Sequence, residues 1–147
     1  ILDFWASWCG DCRREFAALK KLYSKYPDNK KRVWVSVSFD HKTDVWKQML
    51  RKEKFPWLQI CNGQPWKQND IAKAYDLHWI PTFYVVNPKG KIVGSAITAE
   101  ELQKVLEDSI FALNAKLPAY SQIGRCELRR EQFEKTPKLS IKRFMYN

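Results

Sequence analysis

The stretch DFWASWCGDCRRE, residues 3–15, decides how this chain of 147 residues folds. It places an apolar, strand-like run before a helix start, with Cys9 and Cys12 at the turn between them. A thiol at a helix N-terminus has a lowered pKa, because unpaired backbone N–H groups and the helix dipole favour the thiolate. A cysteine three residues further on can then attack a mixed disulfide formed by the first. The stretch therefore predicts a dithiol/disulfide couple.

Two other uses of the cysteine pair are weaker alternatives. A structural zinc site usually takes two close cysteine pairs, or one cysteine pair and one histidine pair. The remaining candidate ligands are isolated in the sequence: Cys61, Cys126, His41 and His78. A buried, inert pair is disfavoured because a helix start lowers the thiol pKa. We expect no metal, and no cofactor other than the Cys9–Cys12 disulfide itself.

Composition indicates a folded domain with a substantial core, since 45% of the residues are hydrophobic and seven are tryptophans. No run of 18 apolar residues is present, so we expect no membrane span in this chain. No leader with a charged start followed by an apolar run precedes the first predicted strand. The sequence therefore gives no targeting signal from which to assign a compartment.

The formal charge of +10 would ordinarily suggest a nucleic acid or an anionic membrane as partner. Its distribution argues otherwise, because many of the cations fall on the outer faces and C-terminal ends of predicted helices, where they complement the helix dipole. Residues 111–147 hold eight further Lys and Arg against three Glu. We expect solvated basic faces and no nucleic-acid partner.

Hydrophobic periodicity predicts alternating strands and helices along the rest of the chain. In chain order these are a helix over 10–26, a strand over 33–39, a helix after 40–44, a short strand over 55–61, a helix over 69–75, a strand hairpin over 83–93 and a closing helix from a capping box at 98–101. The second helix is expected to turn four apolar side chains inward: Val45, Trp46, Met49 and Leu50.

Taken together, these features resemble the thioredoxin superfamily, and within it the ResA/TlpA-like thiol-disulfide oxidoreductases of bacterial envelopes. The resemblance rests on FWASWCGDC, on Glu15, on WIPTFYVVNPKGKIV at residues 79–93 and on the closing helix, and covers residues 1–113. It implies an α/β thioredoxin fold, with a mixed four- to five-stranded sheet flanked by helices and a central strand-helix insertion at 55–75. Residues 114–147 are expected to form a basic C-terminal extension whose role the sequence does not indicate.

The resemblance also implies roles for four residues near the turn. Cys9 attacks and Cys12 resolves. Asp3 matches the buried aspartate that relays protons to the second cysteine, and Glu15 matches an active-site glutamate that tunes thiol acidity and proton transfer. Plainer alternatives are a strand-edge Asp3 satisfied by water, and a Glu15 that only favours the dipole of its own helix from the first turn.

A substrate groove is implied as well. In this superfamily the proline at Pro81 is cis and lies against the thiols, which leaves the backbone of Ile80 free to pair with an extended peptide. Trp8, Gly10 and Asp11 complete the substrate-binding set. The alternative for Pro81 is a trans proline that opens an edge strand.

By the same resemblance, the substrates are protein thiols and disulfides, and a membrane or soluble thiol-disulfide electron donor recharges the pair. The location would be periplasmic, or envelope-anchored and facing the periplasm. The ResA/TlpA-like group normally has an N-terminal strand pair, which we expect to be missing here. Two alternatives stay open: a tryparedoxin- or nucleoredoxin-like cytosolic electron donor, and a redox-inert binding module.

The direction of electron flow is expected to be reductive. Ile80 before Pro81 resembles reducing thioredoxins, and the Gly10-Asp11 dipeptide lacks the histidine that stabilises an oxidant's thiolate. Asp11 stands where thioredoxins usually have proline. Its carboxylate disfavours the thiolate whereas neighbouring arginines favour it, so the net sign is open.

Overall fold

The structure, a computed structural model, describes residues 1–115. Five strands form within them: β1 (Leu2–Trp5), β2 (Val35–Ser38), β3 (Leu58–Cys61), β4 (Thr82–Val86) and β5 (Ile92–Ala96). Four α-helices accompany them: α1 (Gly10–Lys25), α2 (Thr43–Glu53), α3 (Asp70–Ala74) and α4 (Ala99–Asn114). Of the predicted basic extension over residues 114–147, the part from residue 116 onward, with Cys126, lies outside the described residues, and the domain boundary near residue 113 stays a prediction.

The strands form one mixed sheet in the order β3-β2-β1-β4-β5. β1, β2 and β3 run parallel, whereas β4 is antiparallel to β1 and β5 is antiparallel to β4. β1 is thus the central strand, and its Asp3 lies opposite Ser36 of β2 and Phe83 of β4. The predicted mixed sheet flanked by helices is confirmed.

Both faces of the central strand are covered. Neighbouring residues of a strand point to opposite faces, so Phe4 and Trp5 mark the two sides of the sheet. Trp5 packs edge-on against Phe16 of α1, with ring centroids 5.2 Å apart. Phe4 packs against three rings on the other side: Phe39, Tyr75 and Tyr84. Asp3 alternates with Phe4 and therefore shares the face that α1 covers.

The connections place α2 on the same face as α1. The chain moves from β1 to β2 to β3 in one direction, and right-handed crossovers then put both helices on one side. Lys20 of α1 lies 2.8 Å from Glu53 at the end of α2, as that arrangement requires. Within residues 1–115, no helix is long and apolar enough to cross a membrane.

The predicted inward face of α2 is partly wrong. Trp46, Met49 and Leu50 are half-buried against the core, but Val45 is 43% exposed. The physical reason is angular position, because Trp46, Met49 and Leu50 follow one another at i, i+3 and i+4 and so share one face of the helix. Val45 lies about 100° around the helix from Trp46, at the edge of that face.

The predicted strand-helix insertion is present as β3 and α3 and contributes to the core. Trp57, just before β3, is 5% exposed and packs against Trp34 at a centroid distance of 5.6 Å. Trp66 packs edge-on against Phe39 at 4.7 Å. Asn69 is fully buried and caps α3 by accepting the N–H of Ile71. The inserted segment therefore packs into the core beside the first strands.

Candidate active site

The cysteine pair lies where the central strand ends and α1 begins. Cys9 is the N-cap of α1, and its Sγ accepts the backbone N–H of Cys12 at 3.1 Å. The two residues form a disulfide, with Cα atoms 5.4 Å apart. Cys9 is 7% exposed and Cys12 is 1% exposed. Gly10, the first residue of α1, separates the cap from the helix body. Cys9 therefore lies at the open N-terminal end of α1, where its sulfur is placed to act as a nucleophile.

The loop before β4 comes directly against this pair. The Ile80–Pro81 peptide bond is cis, so the trans alternative is wrong. The carbonyl oxygen of Ile80 lies 3.6 Å from Cys9 Sγ, although 71 residues separate the two in sequence. Thr82 holds the loop in shape by donating its hydroxyl to the carbonyl of Trp79 at 2.9 Å.

Two exposed tryptophans are sequence neighbours of residues in the site. Trp8, next to Cys9, is 56% exposed, and Trp79, next to Ile80, is 59% exposed. Trp79 also lines a cavity of about 320 Å³, together with Thr82 and other residues of the following strands. Sequence reasoning gave Trp8 a role and missed Trp79, although its place directly before the Ile-Pro dipeptide was an available signal.

Asp3 is buried in the central strand. It is 3% exposed and accepts a hydrogen bond from Ser36 Oγ at 2.5 Å, and Ser36 Oγ in turn accepts the indole N–H of Trp57 at 2.7 Å. Burial raises the pKa of Asp3 to about 7, and the hydrogen bond from Ser36 opposes that rise. The alternative of a water-satisfied aspartate at a sheet edge is wrong.

Glu15 faces a different helix from its own. Its Oε2 accepts the backbone N–H of Ala99 at 2.7 Å, at the N-terminus of α4. In α1 the acidic residue of the first turn is Asp11, so the alternative role for Glu15 as a first-turn acid is wrong. Its predicted part in tuning the thiols stays a prediction, because the hydrogen bond shown here goes to α4.

Asp11 forms an ion pair with Arg14 one turn along the helix. Both side chains are largely exposed, at 66% and 74%. The Asp11 and Arg14 charges therefore partly neutralise each other. Their net effect on the thiolate is the one that the sequence left open. Water also screens such an exposed pair.

Sequence reasoning missed a second buried carboxylate, Asp40. It is 3% exposed and accepts the backbone N–H of Ser7 at 2.9 Å and the hydroxyl of Ser7 at 2.6 Å. Ser38 Oγ donates a third hydrogen bond at 2.6 Å. In the sequence, Asp40 only opens a polar turn after a strand, and nothing there indicates that it accepts hydrogen bonds from Ser7. The structure thus ties the loop before Cys9 to the end of β2.

The other candidate ligands do not join the pair. Cys61 is a half-buried free thiol, 3.1 Å from the backbone carbonyl oxygen of Asp40. His41 is exposed. Among residues 1–115, no three His, Cys, Asp or Glu side chains are grouped so as to hold a metal ion.

Comparison with known proteins identifies the fold family. A family model described as Thioredoxin-like matches residues 1–92. The chain belongs to the thioredoxin-like family. A solved structure, a thiol-disulfide oxidoreductase from Bacteroides fragilis, is 31% identical with a TM-score of 0.67, and the match covers 74% of this chain and 78% of that one. The predicted resemblance is confirmed at the level of sequence and of fold.

Curated relatives narrow the group. Sporulation thiol-disulfide oxidoreductase A of Bacillus subtilis is 29% identical over 113 residues, which cover 74% of this chain and 66% of the relative. Thiol-disulfide oxidoreductase ResA of Oceanobacillus iheyensis is 30% identical over 113 residues, which cover 74% of this chain and 55% of the relative. This thioredoxin-like chain is a ResA/TlpA-like member of the superfamily. It spans less than two thirds of the length of these relatives.

Proposed function

We propose that this protein is a thiol-disulfide oxidoreductase that reduces disulfides of envelope proteins through Cys9 and Cys12. The observation that carries the proposal is the disulfide at the start of α1, with Cys9 facing the carbonyl of Ile80 at 3.6 Å. The names of the relatives, which are thiol-disulfide oxidoreductases, support the same chemistry.

The reaction is a pair of thiol-disulfide exchanges. In the reduced protein, the Cys9 thiolate attacks one sulfur of the substrate disulfide, which forms a mixed disulfide and releases the other substrate sulfur as a thiolate. The Cys12 thiolate then attacks the sulfur of Cys9, restores the Cys9–Cys12 disulfide and releases the second substrate thiolate. Two electrons pass from the pair to the substrate, and both released thiolates take up protons.

Cys9 is suited to the first attack and Cys12 to the second. As N-cap, Cys9 receives the N–H of Cys12 and lies at the positive end of the α1 dipole, both of which favour its thiolate. Cys12 is almost completely buried, so a bulky substrate reaches Cys9 first. Cys12 meets only the mixed disulfide already held beside it.

Asp3 is the proposed proton carrier for Cys12. Its raised pKa, near 7, allows it to accept and return a proton at neutral pH. Glu15 is the second proposed proton-transfer residue. Because its carboxylate accepts from Ala99, that role requires the Glu15 side chain to release α4 during the cycle.

An extended peptide is the proposed substrate shape. It would pair with the backbone of Ile80 beside Pro81 while its disulfide meets Cys9. The other side of this groove is formed by Trp8, Gly10 and Asp11. The exposed ring of Trp79 adds an apolar contact that the sequence did not predict. Aromatic rings of this kind bury large apolar areas on binding.

The proposed partners and location follow from the resemblance to the ResA/TlpA-like group. Substrates are protein disulfides outside the cytoplasm, and a membrane or soluble thiol-disulfide donor returns the pair to its reduced state. Labelling intact cells with a membrane-impermeant thiol reagent tests the location. Labelling only after lysis would favour the cytosolic tryparedoxin- or nucleoredoxin-like alternative.

Turbidimetric reduction of insulin, with dithiothreitol as the recharging thiol, tests the activity. The wild-type chain should accelerate insulin precipitation above the dithiothreitol background, and Cys9→Ser should return the rate to that background. Cys61→Ser is the matched control, because it removes a free thiol that is not part of the pair. A wild-type rate equal to background would favour the redox-inert binding module instead.

A further inference from the structure

Strand β2 places two fully buried serines, Ser36 and Ser38, on the face of the sheet that α1 covers. Each donates its hydroxyl to a different buried carboxylate. Ser36 donates to Asp3 at 2.5 Å, and Ser38 donates to Asp40 at 2.6 Å. The two hydrogen bonds are alike in burial and length, but only the first reaches the residue proposed to carry protons for Cys12.

The hydrogen bond to Asp3 has a fixed direction. The indole N–H of Trp57 is a donor only, so Ser36 Oγ must accept it, at 2.7 Å. The hydroxyl hydrogen of Ser36 is then left for Asp3. Trp57 is itself held in place, since its ring packs between Tyr23 of α1 and Trp34 at centroid distances of 5.1 and 5.6 Å. The chain runs from Trp57 through Ser36 to Asp3.

We propose that Ser36 and Trp57 are positioning residues for Asp3, which together keep its buried carboxylate able to ionise and so able to exchange a proton with Cys12. The inserted segment before β3, which carries Trp57, thereby sets the acid-base behaviour of the site. This inference rests on the proposed function, in which Asp3 carries protons for Cys12.

No other charge on this face substitutes for the Ser36 donor. Neighbouring elements bring these charged or titratable groups to the same face: Cys12, Glu15 and Lys20 of α1, Glu53 of α2, Asp40 after β2 and Cys61 of β3. Glu15, Lys20 and Asp40 are engaged with other partners. Burial raises the pKa of Asp3, and the counteracting cause is the Ser36 hydrogen bond.

Titration of the Asp3 carboxyl carbon by NMR in the oxidised protein tests the inference without any turnover. Ser36→Ala should raise the Asp3 pKa by about one unit, because it removes the donor to the ionised form. Trp57→Phe keeps an aromatic side chain but removes the indole N–H, which frees the Ser36 hydroxyl to point elsewhere, so the pKa of Asp3 should rise by less. The second variant also decides the matter if Ser36→Ala does not fold.

Two variants serve as matched controls. Ser38→Ala removes an equally buried hydroxyl that donates to Asp40, and Trp66→Phe makes the same aromatic substitution at a ring that packs against Phe39 on the opposite face of the sheet. Neither should shift the Asp3 pKa. Equal shifts in a control and its test variant, or no shift in Ser36→Ala and Trp57→Phe, would overturn the inference.

A second readout links the chain to the reaction. The pH profile of insulin reduction by Ser36→Ala should move to higher pH by the same amount as the Asp3 pKa, and the Ser38→Ala profile should not move. A wild-type protein that fails to reduce insulin refutes the proposed function, while the NMR titration still decides whether Ser36 and Trp57 control Asp3. A Ser36→Ala profile that stays in place while the pKa moves would overturn the link to proton exchange.

Discussion

The Asp40 carboxylate accepts two hydrogen bonds from Ser7, one from its backbone N–H at 2.9 Å and one from its hydroxyl at 2.6 Å. Both residues are buried, at 3% and 6% exposure. Ser7 lies two residues before Cys9, so the carboxylate fixes the backbone that carries Trp8 and the reactive sulfur. The active-site loop is therefore held from β2 as well as from β1 and α1.

Asp40→Ala should destabilise the protein by about 3 kcal/mol, because three donors lose their buried acceptor. Urea unfolding of the oxidised protein measures this loss. Asp44→Ala, in the exposed first turn of α2, is the control and should change the free energy of unfolding by less than about 1 kcal/mol. Folded Asp40→Ala should also reduce insulin more slowly, since the loop is no longer fixed. Equal stability of the two variants would contradict the role given to Asp40.

Asp3→Asn should stabilise the protein at high pH and have little effect at low pH. An unfolded Asp3 ionises above its ordinary pKa, near 4, whereas the folded residue keeps its proton until about pH 7. Between these values the folded state binds more protons than the unfolded state, so stability falls as pH rises. The stability that protonated Asp3 contributes is fully present below its unfolded pKa and is lost as the pH rises through its folded pKa.

Urea unfolding across this pH range measures the effect. The free energy difference between Asp3→Asn and wild type should grow from about pH 4 and level off above about pH 7, with a total change of about 4 kcal/mol. Asp44→Asn, an exposed aspartate, should show no such growth. A pH-independent offset for Asp3→Asn would mean that the buried carboxyl is not the titrating group.

The two cysteines should react differently in the reduced protein. Cys9 should be alkylated faster and at lower pH, because it caps α1 and is the more exposed sulfur. Cys12→Ser should accumulate mixed disulfides with substrate, and Cys9→Ser should accumulate none. Mass spectrometry of the alkylated peptides follows both. Equal alkylation rates at every pH would refute this assignment of roles.

Cys61 and Cys126 are predicted to take no part in the catalytic cycle. Cys61 lies on β3 with its sulfur 3.1 Å from the carbonyl oxygen of Asp40, and Cys126 lies outside the described residues. Replacing either by serine should leave the rate of insulin reduction unchanged within about twofold. Loss of turnover in either variant would give that thiol a catalytic part.

Local chemistry explains which parts of the site were predictable. The Cys9–Cys12 turn follows from a strand-to-helix junction, whose dipole and N–H groups depend only on neighbouring residues. The resemblance to the superfamily indicated both Asp3, whose place before Cys9 matches its buried aspartate, and the cis bond at Pro81. Each of these signals is contained in a short segment.

Contacts between distant segments explain what the sequence could not show. Asp40 meets Ser7 across 33 residues, and Glu15 meets Ala99 across 84. The spacing of apolar residues shows which side chains of a helix could face the core but not how far the buried face extends around the helix, which is why Val45 was predicted to face inward. Such pairings depend on the order of the strands, which periodicity does not give.

The last prediction concerns the reduction potential and the Asp11–Arg14 ion pair. We expect a potential of roughly −270 to −180 mV, between those of thioredoxin and protein disulfide isomerase. Asp11→Asn removes a carboxylate near the thiols and leaves Arg14 unpaired, so the thiolate gains stability and the potential should rise by about 10 to 20 mV, a small change for an exposed pair.

Asp70→Asn is the matched control, because Asp70 forms an equivalent exposed pair with Lys73 on α3. Equilibration with glutathione measures all three proteins. A wild-type potential near the roughly −120 mV of a dedicated oxidase would reverse the proposed direction of electron flow, and an equal rise in both variants would mean that the Asp11 charge does not act on the thiols.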